Sequence, residues 1–139
     1  MTSVSIIVPV YNVERYIEEC ARSVFSQTWP EIQFIFVDDA SPDGSIAVLE
    51  GLIDNEFSSL KPRISIIRKS VNEGLPQARK TGVEAATGDY ILHLDSDDWL
   101  ETDAVGKLVR RADETGADVV YFFAWKEFGE GRRRMITDD

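Results

Sequence analysis

The chain is poor in cysteine and histidine, and this shortage excludes a fold stabilised by disulfides and a fold stabilised by a structural zinc ion. Its 139 residues include one cysteine, Cys20, and one histidine. A single cysteine cannot form an internal disulfide, and one cysteine with one histidine cannot complete a structural zinc site. Because Cys20 lies on an apolar helical stripe, we expect it to be a small buried hydrophobic residue.

Positive charge and long apolar runs are also scarce. Lysine and arginine number 15 against 25 aspartate and glutamate residues, so the formal net charge is −10. Nucleic-acid binding needs a basic surface, and we therefore expect no nucleic-acid partner. No apolar run approaches the ~18 residues of a membrane span, and the N-terminus lacks the pattern of a signal peptide. We expect a cytoplasmic chain without a membrane span, with peripheral contact at the inner membrane face left open and the oligomeric state unknown.

Several motifs of large enzyme classes are missing. The residues after the first apolar run, Tyr11 to Arg15, contain no glycine, whereas a dinucleotide-binding site needs G-x-G-x-x-G at that point. The chain also lacks the P-loop pattern G-x-x-x-x-G-K-[ST] and the hydrolase pattern G-x-S-x-G. These absences exclude a dinucleotide-dependent enzyme, a P-loop enzyme and an α/β-hydrolase.

Apolar patterning predicts strands that alternate with helices. The predicted strands are Val4–Val10, Ile32–Val37, Arg63–Arg68, Tyr90–Leu94 and Asp118–Phe123. The predicted helices start at Val13, at Pro42 with Ser41 as N-cap, at Leu75, and at Leu100, the last ending near Gly116. This alternation indicates an α/β fold with a mainly parallel sheet and helices on both faces.

Two acidic clusters, each at the end of an apolar run, carry most of the functional information. Asp38 and Asp39 follow the second predicted strand, and Asp95, Asp97 and Asp98 follow the fourth. Ligands of open parallel sheets bind at the carboxyl ends of the strands. Clustered carboxylates repel one another unless a divalent cation lies among them and hydroxyl groups donate to the remaining oxygens. A sugar nucleotide with its metal offers both.

Each cluster also has a structural interpretation. Adjacent strand residues point to opposite faces, so Asp38 and Asp39 are expected to do different jobs. One could read a base N–H or a ribose hydroxyl, while either could cap the next helix or tighten the turn at Ala40. The second cluster could be the acidic start of a helix. Since that would explain one of its three acids, we favour a site for Mg²⁺ or Mn²⁺, which prefer oxygen ligands.

Blocks of sequence around these acids resemble the donor-binding part of the family 2 glycosyltransferases, nucleotide-sugar-dependent enzymes of the GT-A fold. The blocks are Val4–Asn12, Ser23–Thr28, Val37–Ser45, Asn72–Arg79 continuing to Gly82, Ala86, Gly88, Asp89 and Tyr90, and Leu94–Asp98. They span about residues 4–100 in the family's order. One block alone would be weak, because acidic strand ends are common, but the ordered set is specific.

The resemblance implies an activity and a set of site residues. The activity is transfer of a sugar from a nucleotide-diphosphate donor, foremost a UDP-sugar, to the hydroxyl of a glycan or lipid-linked acceptor, with inversion, in polysaccharide or glycan synthesis. The implied cofactor is Mn²⁺ or Mg²⁺. Asp39 would read a uracil-like N–H. The residues implied to bind the nucleotide sugar are Pro9, Tyr11, Asn12, Asp38, Asp39, Asn72, Gly74, Arg79, Asp95, Ser96 and Asp97.

The sequence does not decide which of the neighbouring acids binds the metal directly. Asp98 is the first candidate for direct ligation and Asp97 the second, because Asp95 to Asp97 is itself a DxD motif while Asp97 and Asp98 form a pair. The family's catalytic base lies further past this motif than the chain extends, so we expect it beyond Asp139. We therefore expect a C-terminally truncated GT-A domain.

Two further expectations concern organisation and alternatives. Residues 1–124 would form the nucleotide-sugar-binding domain, and 125–139 would start the acceptor-side segment or form a loose tail. One alternative function is donor binding without turnover. Another is a different metal-dependent nucleotide or phosphate enzyme, although a DxD phosphatase would carry its nucleophilic acid where this chain has Tyr11 and Asn12.

Overall fold

The protein folds around a four-stranded parallel sheet. The computed structural model describes residues 1–116 in full and the backbone of two later strands, 122–128 and 132–138. The strands of the first sheet are β1 (Val4–Val10), β2 (Ile32–Asp38), β3 (Ile64–Arg68) and β4 (Tyr90–His93). Their order is β3-β2-β1-β4, and every pairing is parallel. A second sheet pairs β5 (Phe122–Phe128) with β6 (Arg132–Asp138) in antiparallel register.

Helices cover both faces of the parallel sheet, as predicted. They are α1 (Ile17–Phe25), α2 (Ser45–Glu56), α3 (Leu75–Ala85) and α4 (Ala104–Thr115), with a short 3-10 helix at Ser58–Arg63. Apolar residues of α1, α2 and α4 form one buried cluster with one face of the sheet. Ala78 of α3 joins a second cluster on the opposite face. Among the described residues, no helix is both long and apolar enough to cross a membrane.

Strand β1 is the centre of the core and is buried along its whole length. Successive side chains point to opposite faces, so Ile6 and Val8 join the larger cluster while Ile7 joins the smaller one. Helix α3 packs directly on Ile7, where a Cβ added to Gly82 would lie 2.4 Å from the Ile7 Cγ2 methyl. Only glycine allows the helix to approach this closely.

Pro9 lies inside β1 without breaking the sheet. The Val4 N–H donates towards β2, to the carbonyl of Glu31 at 3.0 Å. Strand alternation therefore directs the nitrogen of Pro9 to the other side, towards β4. Because β4 ends at His93, opposite Ile7, the N–H that proline lacks would have had no ladder partner there. The strand can therefore carry proline up to the edge where ligands bind.

Three helices begin later than predicted, each because side chains capture the preceding backbone. Helix α1 begins at Ile17, because the N–H groups of Val13 and Glu14 before it donate to Ser45 Oγ at 3.0 Å and to Asp43 Oδ2 at 3.1 Å. Helix α2 begins at Ser45, not at Pro42, because Asp43 accepts the Ser45 N–H at 3.1 Å. Leu100 does not start α4, whose first residue is Ala104.

The segment before α4 is held to α1 instead of coiling into a helix. The Leu100 N–H donates to Ser23 Oγ at 3.0 Å, and the side chain of Leu100 is buried in the core. The predicted fourth strand ends one residue early, at His93. The predicted fifth strand, 118–123, lies largely outside the described residues, and the strand observed there runs from Phe122 to Phe128.

Candidate functional site

A cleft opens at the carboxyl ends of β1, β2 and β4. The chain leaves β1 to build β2 and β3 on one side and β4 on the other, which is the topological switch point where open α/β sheets bind ligands. The cleft has a volume of about 430 Å³. Its lining residues are Pro9, Tyr11, Val13, Asp39, Asn72, Gly74, Leu75, Ala78, Asp95, Ser96 and Asp97.

Most of the residues predicted to bind a nucleotide sugar meet in this cleft. Eight of them line it: Pro9, Tyr11, Asp39, Asn72, Gly74, Asp95, Ser96 and Asp97. Sequence reasoning assigned no site role to Val13, Leu75 and Ala78, which supply apolar wall. Helical spacing of apolar residues does not distinguish a residue packed in the core from one at the mouth of a cleft.

The acids after β4 converge. One carboxylate oxygen each of Asp95, Asp97 and Asp98 lies within 4.8 Å of the others. A tight turn brings them together, since the Asp98 N–H donates to the Asp95 carbonyl at 3.0 Å. Oxygen ligands from one or two carboxylates are what Mg²⁺ and Mn²⁺ take in nucleotide sites. The donor set therefore fits such an ion, with the ligands predicted from sequence, Asp98 and Asp97, inside the group.

Arg79 holds the first acid of this group. Its Nη2 donates to Asp95 Oδ1 at 2.9 Å, and both side chains are close to half exposed. The Nε of Arg79 is buried and has no hydrogen-bond partner among the described residues. Arg79 therefore reaches from α3 to the edge of the cleft, although it does not line it, and partly neutralises Asp95.

Cys20 lies beneath the same turn. It is fully buried on α1, and its Sγ is 3.9 Å from the Asp95 carbonyl oxygen. Burial raises the pKa of the Cys20 thiol, and the nearby carboxylates of Asp98 and Asp97 raise it further. The thiol is therefore protonated and unreactive, which confirms the expectation of a small buried hydrophobic residue.

Asp39 connects two walls of the cleft. The residue is 3% exposed, and its two carboxylate oxygens accept the backbone N–H groups of Glu73 and Gly74, each at 3.0 Å. Gly74 has φ of 95°, a backbone conformation that is strained for residues other than glycine. Asp39 thus fixes the start of α3 beside the cleft, and each of its oxygens retains a lone pair for another donor.

Asp38 and Asn12 lie outside the cleft lining. Asp38 Oδ1 accepts the N–H of Ser41 at 2.9 Å, which tightens the turn around Ala40, the structural alternative considered for this acid. Ala40 has φ of 59°. The side chain of Asn12 is exposed, and its backbone also has positive φ, at 57°. The two neighbouring acids therefore do different jobs, as strand geometry predicted.

Comparison with known proteins identifies the family. The chain matches the family described as Glycosyl transferase family 2 over residues 5–139. The chain belongs to this family. It is 41% identical over 116 residues to Glycosyltransferase GlyA of Streptococcus pneumoniae, which covers 84% of this chain and 16% of that protein. It is 35% identical over 119 residues to the poly(ribitol-phosphate) beta-glucosyltransferase of Bacillus spizizenii, covering 84% of this chain and 18% of that protein.

A solved structure confirms the fold. S. aureus TarS 1-349 in complex with UDP superposes with a TM-score of 0.74 at 29% identity, over 84% of this family 2 chain and 33% of that chain. The same protein was also solved in complex with UDP-GlcNAc. The fold is therefore that of the GT-A glycosyltransferases. The chain spans a third or less of the length of these three proteins.

Proposed function

We propose that the chain is the donor-binding part of a glycosyltransferase that takes a sugar from a UDP-sugar and passes it to an acceptor hydroxyl. The acceptor would be a growing polysaccharide or a lipid-linked glycan, in the cytoplasm at the inner face of the membrane. Residues 1–124 would bind the donor, and 125–139 would begin the acceptor side. Family membership and the UDP complex of TarS support the donor class, and the Bacillus relative, named a poly(ribitol-phosphate) beta-glucosyltransferase, supports a polymeric acceptor.

The convergence of Asp95, Asp97 and Asp98 at one end of the cleft is the observation that carries the proposal. Three carboxylate oxygens within 4.8 Å of one another form a ligand set for a cation, and Asp95 and Asp97 line the same cavity as Asp39. A nucleoside diphosphate has the matching layout, with a base at one end and a metal-binding diphosphate at the other. The cleft volume of about 430 Å³ lies within the range of small-molecule sites.

Each end of the cleft would have a separate task. At the base end, Tyr11 and Leu75 offer apolar surface, and Asp39 can accept one more hydrogen bond, as a uracil N–H would require. At the diphosphate end, Asp97 and Asp98 would hold Mn²⁺ or Mg²⁺. The ion would offset the repulsion between diphosphate and carboxylates, and would stabilise the charge of the departing nucleoside diphosphate.

The remaining residues would orient the donor. Asp95 and Ser96 face the cleft where the ribose would lie between base and diphosphate, and Arg79 at its edge would add a positive charge beside the diphosphate. Transfer with inversion requires a carboxylate base to take the proton of the acceptor hydroxyl. We place that base beyond Asp139, so the residues named here bind and orient the donor only.

Ligand-dependent thermal unfolding tests the proposal. The protein is unfolded with UDP, GDP, CDP or ADP, each with Mn²⁺ or with EDTA. A ligand at 100 times its Kd adds about 2.7 kcal/mol to the free energy of unfolding, which raises Tm by several degrees for a domain of this size. We expect the rise with UDP and Mn²⁺, and its loss with EDTA or in Asp98→Ala.

Matched controls separate the possible outcomes. Asp54→Ala removes an exposed acid on α2 that pairs only with Lys61 at 2.7 Å among the described residues, and it should keep the full response. A rise in Tm with GDP and not with UDP would show that the donor carries guanine and not uracil. No response to any nucleotide, with Mn²⁺ present and the protein folded, would refute donor binding by this chain. If a protein extended beyond Asp139 binds UDP but transfers no sugar from a UDP-sugar to any acceptor hydroxyl tested, the binding-module alternative holds.

A further inference from the structure

Three successive backbone N–H groups after β1 donate to side chains of a different loop. They belong to residues 12, 13 and 14, and their acceptors lie between Ser41 and Ser45, the first residue of α2. The pairs are Asn12 with Ser41 Oγ at 2.9 Å, Val13 with Ser45 Oγ at 3.0 Å, and Glu14 with Asp43 Oδ2 at 3.1 Å. The two loops are therefore joined by consecutive hydrogen bonds, with one acceptor for each residue.

Asp43 organises all three bonds. Its Oδ2 accepts from Glu14, and its Oδ1 accepts the hydroxyl protons of Ser41 at 2.6 Å and Ser45 at 2.5 Å. A hydroxyl has one proton, so a serine that donates to Asp43 turns its lone pairs outwards, where a backbone N–H can donate to them. The carboxylate thus sets the direction of the two serine hydroxyls as well as making its own bond.

The electrostatics of Asp43 suit this arrangement. Partial burial opposes ionisation, but the hydrogen bonds from Ser41, Ser45 and the Glu14 N–H outweigh it and lower the pKa of Asp43 to about 2. At neutral pH the group is therefore a carboxylate that only accepts hydrogen bonds. A neutral amide of the same shape would turn an NH₂ group towards one set of these donors.

The joined segment forms a wall of the cleft. Tyr11 and Val13 line the cavity, and Asn12 between them has φ of 57°, which is uncommon for a residue other than glycine. The Asn12 and Val13 bonds hold this backbone in place. Asp43 does not line the cavity, so any effect it has on a ligand must pass through the wall.

We propose that Asp43 is a positioning residue for nucleotide recognition, acting through Ser41 and Ser45 on the wall that carries Tyr11 and Val13. The inference rests on the proposed function and extends it, because it assigns base recognition to a carboxylate outside the cleft. With Asp43 in place, the wall is ordered before the nucleotide arrives. Without it, ordering Tyr11 and Val13 would oppose binding.

The proposal distinguishes the base end from the metal end. The wall is adjacent to Pro9 and Asp39, whereas the diphosphate would lie at Asp97 and Asp98. We therefore expect Asp43→Asn to weaken UDP binding about tenfold and to leave the binding of inorganic pyrophosphate with Mn²⁺ within twofold. A purely structural defect would weaken both or neither.

Two measurements test the inference. Titration calorimetry with Mn²⁺ gives the Kd of UDP and of pyrophosphate for the wild type, Asp43→Asn and the matched surface control Asp54→Asn, at a temperature where all are folded by circular dichroism. Amide hydrogen exchange by NMR follows residues 12, 13 and 14. We expect faster exchange at these amides and a smaller preference for UDP over pyrophosphate in Asp43→Asn alone.

The outcomes are distinct. Unchanged exchange at residues 12–14, or faster exchange with an unchanged Kd for UDP, would overturn the positioning role while leaving donor binding intact. A wild type that binds no nucleotide would overturn the proposed function and this inference together. If Asp43→Asn does not fold, Ser41→Ala removes one of the two hydroxyls, and the same selective loss for UDP, smaller in size, is expected. Equal losses for UDP and pyrophosphate in Ser41→Ala would refute the proposal.

Discussion

The loops after β2 and after β4 deliver aspartates to the same edge of the sheet, yet they use them in opposite ways. At the end of β2, Asp38 and Asp39 accept backbone N–H groups at 2.9–3.0 Å. After β4, one oxygen each of Asp95, Asp97 and Asp98 lies within 4.8 Å of the others, with one guanidinium bound to Asp95. The first set holds the fold together, while the second concentrates negative charge.

The difference shows how a structural carboxylate can be told from one that binds a cation. A carboxylate that accepts backbone donors is stabilised by them and can be buried, as Asp39 is at 3% exposure. Carboxylates that converge on each other repel, and an additional cation relieves that repulsion. Removal of an acid should therefore destabilise the first loop and leave the second unaffected or more stable when no metal is present.

The largest expected effect is the loss of stability in Asp39→Ala. The substitution leaves the N–H groups of Glu73 and Gly74 without their acceptors, and an unsatisfied buried donor costs about 1–3 kcal/mol. Some water access should moderate the sum, so we expect the free energy of unfolding to fall by about 2–4 kcal/mol. Urea unfolding in EDTA measures it.

The matched substitution in the other loop is Asp97→Ala. Asp97 is exposed and belongs to the repelling group, so under the same conditions its removal should change stability by less than about 0.5 kcal/mol or increase it. Equal destabilisation by Asp39→Ala and Asp97→Ala would remove the distinction between the two loops.

Asp43→Asn is expected to lower the free energy of unfolding by an intermediate amount, and this loss should depend on pH. The pKa of Asp43 is lowered from 3.8 to about 2 in the folded protein, so the carboxylate stabilises the fold above its unfolded pKa, and this contribution is lost as pH falls towards 2. Allowing for partial exposure, the difference from the wild type should be about 1–2 kcal/mol at pH 7.

Urea unfolding at pH 7, 5, 4 and 3.5 follows this difference. It should be constant from pH 7 to 5 and begin to shrink between pH 4 and 3.5, as the unfolded chain takes up the proton. Asp54→Asn, on an exposed ion pair, should stay within about 0.5 kcal/mol of the wild type at pH 7. A difference for Asp43→Asn that grows as pH falls would mean that the charge of the carboxylate opposes folding.

Much of the fold could be predicted because it depends on local patterns. The apolar runs of β1 and β2 and the helical stripes of α1 and α3 have the period of the element they form. The predicted start of α2 was wrong because Ser41-Pro42 and Asp43-Gly44-Ser45 both have start signals. The hydrogen bonds of Asp43 decide between them, one from the Ser45 N–H and one from the Glu14 N–H in the loop after β1. The start of α4 was misplaced for a similar reason, since Leu100 is tied to Ser23.

The site was predictable to the extent that strand ends define it. Acids after β2 and β4 had to lie at one edge of a parallel sheet, and they do. The partners of Asp39 were not predictable, because Glu73 and Gly74 lie 34 and 35 residues further along the chain. The same limit applies to Asp43. Its proposed role depends on the backbone N–H groups of residues 12, 13 and 14, and backbone N–H groups leave no mark in the sequence. A carboxylate's role depends on which backbone donors the fold places beside it.

A small effect on stability is also expected from Arg79→Gln on α3, which removes the partner of Asp95 in the second loop. Its ion pair with Asp95 is about half exposed, and such pairs contribute about 0–1 kcal/mol. Its Nε is buried without a partner among the described residues, so removing the guanidinium also removes an unsatisfied donor. We therefore expect the free energy of unfolding to change by less than about 1 kcal/mol.

The same substitution should have a clearer effect on the cation. Without the guanidinium the acidic group is more negative, and a unit charge a few ångströms away is worth roughly 1 kcal/mol in a wet site, so Mn²⁺ alone should bind about fivefold more tightly. Calorimetric titration with Mn²⁺ measures this, and the gain should shrink at high salt. Arg22→Gln removes a guanidinium that pairs with two surface acids, Glu18 on α1 and Glu56 on α2, and it should not alter the Mn²⁺ affinity. If Arg79→Gln binds Mn²⁺ no more tightly than Arg22→Gln does, the negative charge after β4 does not attract the cation, and the contrast between the two loops fails at the point where function depends on it.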